Sequence, residues 1–420
     1  MVGLRMAWPL AELSEAGQRL FSMRWRAIQS NNCHLTAENA MQEHAKSEHA
    51  NHHFVPLAYF RSFTGGDPRI HLLHKPTDRI IFKAPIKGQC ATHRLYGGSD
   101  VAFELEARHG RAIKDAIHAA WNPFGARLDV ERVYHLMQFA LVQRFRTMHA
   151  VRKFSALVGS LELEVFKEYL RCAPSTPRRE RMVMAIEKGQ FRFNASPTRI
   201  VSELLLLALD GVVLITDLAV RILRNRSGVP FLFGDAPVVF CNSYYRNVTS
   251  RGVLGLETPG LQIIVPLDSH TLLMLLDGNV YAGSYKAHPV VDLTERCDVS
   301  QLNALQLHQS LNSVYFADER DAAYVEGMWH AHKPSVVQPS AQFRERTDLP
   351  FDGKPLHGFD PHLNFRLSLS FVECDPINEA DYNFSRRTPE LVEEYNRRSA
   401  ERNEEIRRLR RCRKRATDTA

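Results

Sequence analysis

Two apolar runs, Leu261–Val265 and Thr271–Leu276, stand on either side of the short polar turn Pro266–His270. A continuous apolar run of that length, closed by a turn, reads as a buried strand, and two in succession read as an antiparallel pair. Val229–Phe233 and Val238–Asn242 repeat the arrangement around Gly234–Pro237. Upstream the periodicity is helical. Val133, Leu136, Met137, Ala140, Leu141 and Phe145 form one apolar stripe in a helix expected over Val130–Leu157, with Asp129 as its N-cap. Further helical patterns cover Val101–Ala120, Leu161–Cys172, Arg178–Lys188, Pro197–Asn225 and Thr294–Asn312. The class that accommodates both signals is α+β, a helical half packed on a mostly antiparallel β-sheet.

The segment Asn51–Phe63, NHHFVPLAYFRSF, precedes the first hairpin, and Thr64–Pro68 behind it is strong turn chemistry. Ile70–His74 and Arg79–Phe82 then read as the two arms of that hairpin, and Ser313–Phe316 as a later short strand. Leu363, Phe365, Leu367, Leu369 and Phe371 alternate with polar partners, which predicts a half-buried strand. From Pro389 the chain becomes a charged helix. These shifts divide it into an N-terminal helical extension (1–45), an α+β core (46–317), a C-terminal extension with one strand (318–388) and a basic helical tail (389–420).

The chain has 420 residues, 44% of them hydrophobic, enough for a substantial core. Its seven cysteines are scattered with no CxxC spacing, which argues against a disulfide framework or a structural zinc site and fits a reducing compartment. The first residues lack the pattern of a signal peptide, and Leu204–Ile215 is too short and too interrupted to span a bilayer. The expectation is a soluble cytoplasmic protein without a membrane contact. Net charge is +7 with a pI near 9.0. Much of the excess lies in Glu401–Arg415, a basic run suited to nucleic acid or another anionic surface, or simply to solvent. No P-loop, GxSxG, HExxH or strand-linked GxGxxG is present, which disfavours the enzyme classes that those motifs mark.

The candidate site residues are His53, Asp235 and Arg146. His53 closes the cluster His44, His49, His52, His53; an imidazole can act as base or metal ligand, or can fix the entry of its segment through hydrogen bonds. Asp235 lies in a turn before Pro237, where an aspartate either shapes the turn through backbone amides or presents a carboxylate for metal binding or base catalysis. Arg146 suits an anion clamp, with Arg144 beside it as the alternative. Asp268, His270, Glu104 and Glu106 are weaker candidates; the two glutamates fit the first turn of a helix.

Read together, these motifs resemble the uncharacterised domain-of-unknown-function family 4238 over about residues 50–317. The family opens with His, an aromatic, Val and Pro before an apolar run, matching His53, Phe54, Val55, Pro56, Leu57 and Phe63. A helical glutamine and Arg-Thr-Pro correspond to Gln143 and Arg146-Thr147, with Met148 in place of the proline. Ser-Asp-Asn-Pro corresponds to Gly234-Asp235-Ala236-Pro237, keeping the Asp and the Pro. Pro266-Leu267, Asn303 and Val314-Tyr315 complete the order. The resemblance supplies a map and no settled activity. Two functions follow: a non-catalytic binding or regulatory protein, placed first, and a hydrolase acting on nucleic acid or another phosphate ester, with or without a divalent metal. The hydrolase reading requires His53, Asp235 and Arg146 to converge in one cleft.

Overall fold

The computed structural model describes residues 51–93, 95, 101–122, 128–155, 163, 166–167, 170, 175–190, 197–337, 342–345, 356–359, 363, 365–383 and 385–418. The expected N-terminal extension, His44 and His49, and most of Leu161–Cys172 lie outside them.

The strands are β1 (Asn51–His53), β2 (Arg69–His74), β3 (Arg79–Pro85), β4 (Ala91–His93), β5 (Ala219–Asn225), β6 (Phe233–Gly234), β7 (Val239–Cys241), β8 (Gln262–Pro266), β9 (Thr271–Leu276), β10 (Val290–Leu293), β11 (Ser313–Phe316), β12 (Gln342–Glu345) and β13 (Leu356–Phe359). The helices are α1 (Leu57–Thr64), α2 (Val101–Trp121), α3 (Val130–Phe145), α4 (148–155), α5 (Pro177–Glu187), α6 (Pro197–Gly211), α7 (Arg296–Gln309), α8 (Ala322–His332) and α9 (Pro389–Asp418). Five strands pair in the order β10-β5-β9-β8-β7 and four in the order β3-β2-β11-β6. Only β5–β10 is parallel among the paired strands. The fold is α+β, as expected. Pairing β2 with β11 joins residues 69–74 to residues 313–316, so the two ends of the core close on each other.

The β8–β9 hairpin lies inside the five-stranded sheet, and every residue of its two strands is buried. The segment Asn51–Phe63 is equally central. Pro56 sets α1 off in extended backbone, and Gly65 ends it in the left-handed region at φ 62°, where a side chain would be strained. Tyr59, Phe60 and Phe63 of α1 pack their rings on Phe233 at centroid distances of 5.2, 5.3 and 4.3 Å, and Phe60 meets Tyr315 at 5.0 Å. The apolar run therefore packs α1 on the four-stranded sheet, with Tyr59 also meeting Phe139 of α3.

Three expectations need correcting. The helix expected over Val130–Leu157 breaks after Phe145. Thr147 ends one helix and starts the next: its hydroxyl donates to the Arg144 carbonyl and accepts the Ala150 amide, in the manner of an N-cap. The helix expected over Pro197–Asn225 stops at Gly211, and Ala219–Asn225 is instead strand β5, with β9 and β10 on its two sides. Tertiary pairing overrides helical spacing there. Finally, the alternating segment ending at Phe371 forms no strand ladder where it is described. Its alternation is real: Leu367, Leu369 and Phe371 are buried in a common cluster. Its backbone amides bond side chains of α7 instead, Ser368 to Gln301 and Ser370 to Asp298.

Candidate functional site

The motif residues form two hydrogen-bonded sets, one tying the end of α3 to the opening segment and one joining the 230–237 segment to α7 and the 311–313 turn. Asp235 is buried, and its carboxylate accepts the backbone amides of Leu311 (2.8 Å), Asn312 (2.8 Å) and Ser313 (3.2 Å). Its own amide donates to the Ser313 carbonyl. Burial raises its proton affinity, while the three amides and the nearby Lys75 ammonium pull it back. Lys75 is also buried. It donates to the carbonyls of Leu307 and Ser310, closing the C-terminal end of α7, and burial lowers its pKa to about 8.

Arg146 is 3% exposed and donates from Nε to the Phe54 carbonyl (3.1 Å) and from Nη2 to the His53 carbonyl (2.7 Å). Gln143 donates to the same Phe54 carbonyl at 2.8 Å, and its own side-chain oxygen is buried with no hydrogen-bond partner among the described residues. His53 is half-buried. Its Nε2 lies 3.1 Å from the Lys87 carbonyl, and its strand pairs with β4 opposite Ala91. Arg146 and His53 are thus brought together through the histidine's backbone. Asp235 takes its hydrogen bonds from the 311–313 turn, and the charge beside it is Lys75.

Two further side chains complete this joint. Asn303 accepts the Leu232 amide and donates to the Pro230 carbonyl; one helical turn on, Gln306 accepts the Gly234 amide and donates to the Pro237 carbonyl. A helix face thereby stands in for a neighbouring strand. The approach is close enough that a Cβ on Gly234 would lie 2.7 Å from the Ser310 Cβ, which accounts for glycine at that position. Asn303 was visible in the sequence. Gln306 follows from it at a spacing of three, which puts both on one helix face. Lys75 gives no sequence signal.

Cys90 lies against this joint with φ 49°, its thiol 3.3 Å from the Tyr315 hydroxyl. Burial pushes that thiol well up, so it stays protonated at neutral pH. Among the described residues, no three His, Cys, Asp or Glu side chains are grouped to hold a metal ion. The side chains of Glu104 and Glu106 lie outside the described set.

A separate open groove of about 740 Å³ forms where four connections converge: the end of α1, the turn after β5, the β8–β9 turn and the segment after β11. Phe63, Val229 and Pro230 line it together with Arg226, His270, Asp318, Arg320 and Asp321. Asp268 belongs to the β8–β9 turn and accepts the His270 amide at 2.8 Å. Ser62 and Tyr59 of α1 donate to the Leu267 and Pro266 carbonyls, tying the opening motif to that turn.

The family model described as "Protein of unknown function (DUF4238)" matches residues 51–320. The chain belongs to this family. Its match spans the joint, both main sheets and all of the groove lining except Asp321, and ends beyond β11. No curated protein and no solved structure matches the chain.

Beyond the family region, α9 is docked on the body. Leu391, Val392 and Tyr395 pack with Val213, Leu214 and Leu256, and Arg402 pairs with Asp210. Just before the helix, Arg387 is almost fully buried, bonding Asp217 at 2.7 Å and the carbonyls of Leu214, Leu256 and Thr258. No helix among the described residues is long and apolar enough to cross a membrane.

Proposed function

We propose that this protein acts as a non-catalytic binding or regulatory protein, in which His53, Arg146 and Asp235 shape the fold. The observation that carries the reading is where their hydrogen bonds go. Arg146 holds two backbone carbonyls, Asp235 gathers three backbone amides, and the His53 ring faces a backbone carbonyl. A catalytic carboxylate or anion clamp needs that capacity for substrate. The family core provides the body, and the loop-lined groove is where this reading places a ligand. The scattered cysteines fit a reducing, cytoplasmic setting. Nucleic acid is the proposed macromolecular partner, met through the basic end of α9.

The competing hydrolase reading makes a different prediction for the same side chains. Purified protein is assayed against nucleic acid and a phosphodiester substrate, with and without Mg²⁺ or Mn²⁺, alongside His53→Ala, Arg146→Lys and Asp235→Asn. The expected outcome is no cleavage and lowered melting temperatures. Metal-dependent cleavage abolished by Asp235→Asn at an unchanged melting temperature would overturn the proposal.

A further inference from the structure

Resting on the proposed nucleic-acid partner, we infer that α9 is a two-part arm: a docked anchor up to Arg402 and a cationic rod, Ile406–Arg415, that lies along a phosphate backbone. The two parts differ in charge. In the anchor, arginines meet carboxylates: Arg397 with Glu394 and Glu401, Arg398 with Glu394, and Arg402 with Asp210. Between Glu405 and Asp418 the sequence has no acidic residue, while Arg407, Arg408, Arg410, Arg411, Arg413, Lys414 and Arg415 supply seven positive charges. The helix continues through this stretch to Asp418, and Arg408 is exposed.

The match to nucleic acid is one of density and type. Ten helical residues span about 15 Å, a length over which a duplex carries about nine phosphate charges. Six of the seven cations are arginines, whose planar fork suits phosphate oxygens. The apolar residues of the stretch are Ile406, Leu409 and Cys412, with no aromatic among them. That is a meagre face for insertion into a lipid surface, which disfavours a membrane partner. The anchor has a purpose in this scheme. Arg387, Val392 and the Arg402–Asp210 pair fix the direction in which the helix leaves the body, so less orientational freedom is lost on binding.

The test uses the full chain, a fluorescent 20-base-pair DNA duplex, a single-stranded RNA of equal length, and vesicles with and without phosphatidylserine, over a salt series. Binding to either nucleic acid is expected, with a log–log salt slope of about −3 or steeper, since each neutralised phosphate contributes roughly −0.9 on duplex and −0.7 on single strand. Replacing Arg407, Arg408, Arg410 and Arg411 by glutamine should weaken binding at least about tenfold and flatten the slope. Disrupting the anchor with Arg402→Gln should weaken binding a few-fold and leave the slope intact. Unchanged binding by the four-fold variant, binding to anionic vesicles alone, or no binding at all would overturn the rod. Wild-type affinity in Arg402→Gln would overturn the anchor. The four-fold variant should melt at the wild-type temperature, so this test fails or succeeds separately from the assignment of His53, Arg146 and Asp235 to the fold.

Discussion

Asp235 and Asp318 make the same kind of contact in two very different regions. Each is an aspartate at a turn that accepts backbone amides: Asp235 from Leu311, Asn312 and Ser313, Asp318 from Arg320. Asp235 is buried in the joint, where removal from water raises its proton affinity. Asp318 stands at the groove with the Arg320 guanidinium beside it, and its carboxyl is held down to about 2. In the joint a polar group must find its partners inside the protein; at the groove water can supply them. The buried region thus uses polar side chains to connect chain segments, whereas the groove leaves its polar side chains open to solvent.

Acidification should separate the two regions most strongly. Burial lowers the proton affinity of His109 to about 3 and of His308 to about 4, and that of His149 well below the ordinary value. These folded-state values lie below the unfolded one, near 6.5, so the unfolded chain binds the extra protons. Stability from these residues is complete above about pH 6.5 and declines toward pH 4, at up to about 1.4 kcal/mol per pH unit for each histidine. Asp235, Asp268 and Asp321, with raised affinities, act in the opposite sense, while carboxyls held down by neighbouring arginines, such as Asp318 and Asp292, add to the loss on acidification. Urea denaturation between pH 7.5 and 4.5 should show a steep loss; a flat profile would contradict the neutral buried histidines.

Next comes the pair of aspartates itself. Asp235→Ala strands three amides and leaves buried Lys75 without its nearby carboxylate, an expected cost of about 3–5 kcal/mol. Asp318→Ala, at an exposed turn, should cost about 1 kcal/mol or less. Similar losses for the two in parallel denaturation curves would erase the distinction between joint and groove. Arg146→Ala removes charge-assisted bonds to the Phe54 and His53 carbonyls, for about 2–3 kcal/mol. The smallest effect belongs to His53→Ala, which loses the ring's contact to the Lys87 carbonyl among others at a half-buried position and should lower stability by about 1 kcal/mol or less while leaving any ligand response intact. A greater loss for His53→Ala than for Arg146→Ala would mean that the ring, and not the backbone it belongs to, holds this corner.

Much of the architecture could be read directly. The β8–β9 hairpin, the strands β2, β3 and β11, the Asp129 cap and the helices α2, α5 and α7 follow from local periodicity and turn chemistry, which depend on neighbouring residues alone. The same local signal misled at Ala219–Asn225, because strand pairing with β9 and β10 is a long-range event. It misled again before Phe371, where alternation recorded burial correctly while the backbone partners came from a helix.

By itself, then, the sequence determined the α+β class and the family, and it singled out His53, Arg146 and Asp235 as candidates. It could not decide what those side chains face. A carboxylate in a turn has the same local sequence whether it holds water, a metal or three amides from residues 311–313. Only the closure of β2 on β11 brought Lys75 and the 311–313 turn to Asp235, and only the packing of α3 on the opening segment put the Phe54 and His53 carbonyls within reach of Arg146. Hydrogen bonds act over about 3 Å, and which groups come that close is set by tertiary packing rather than by sequence spacing.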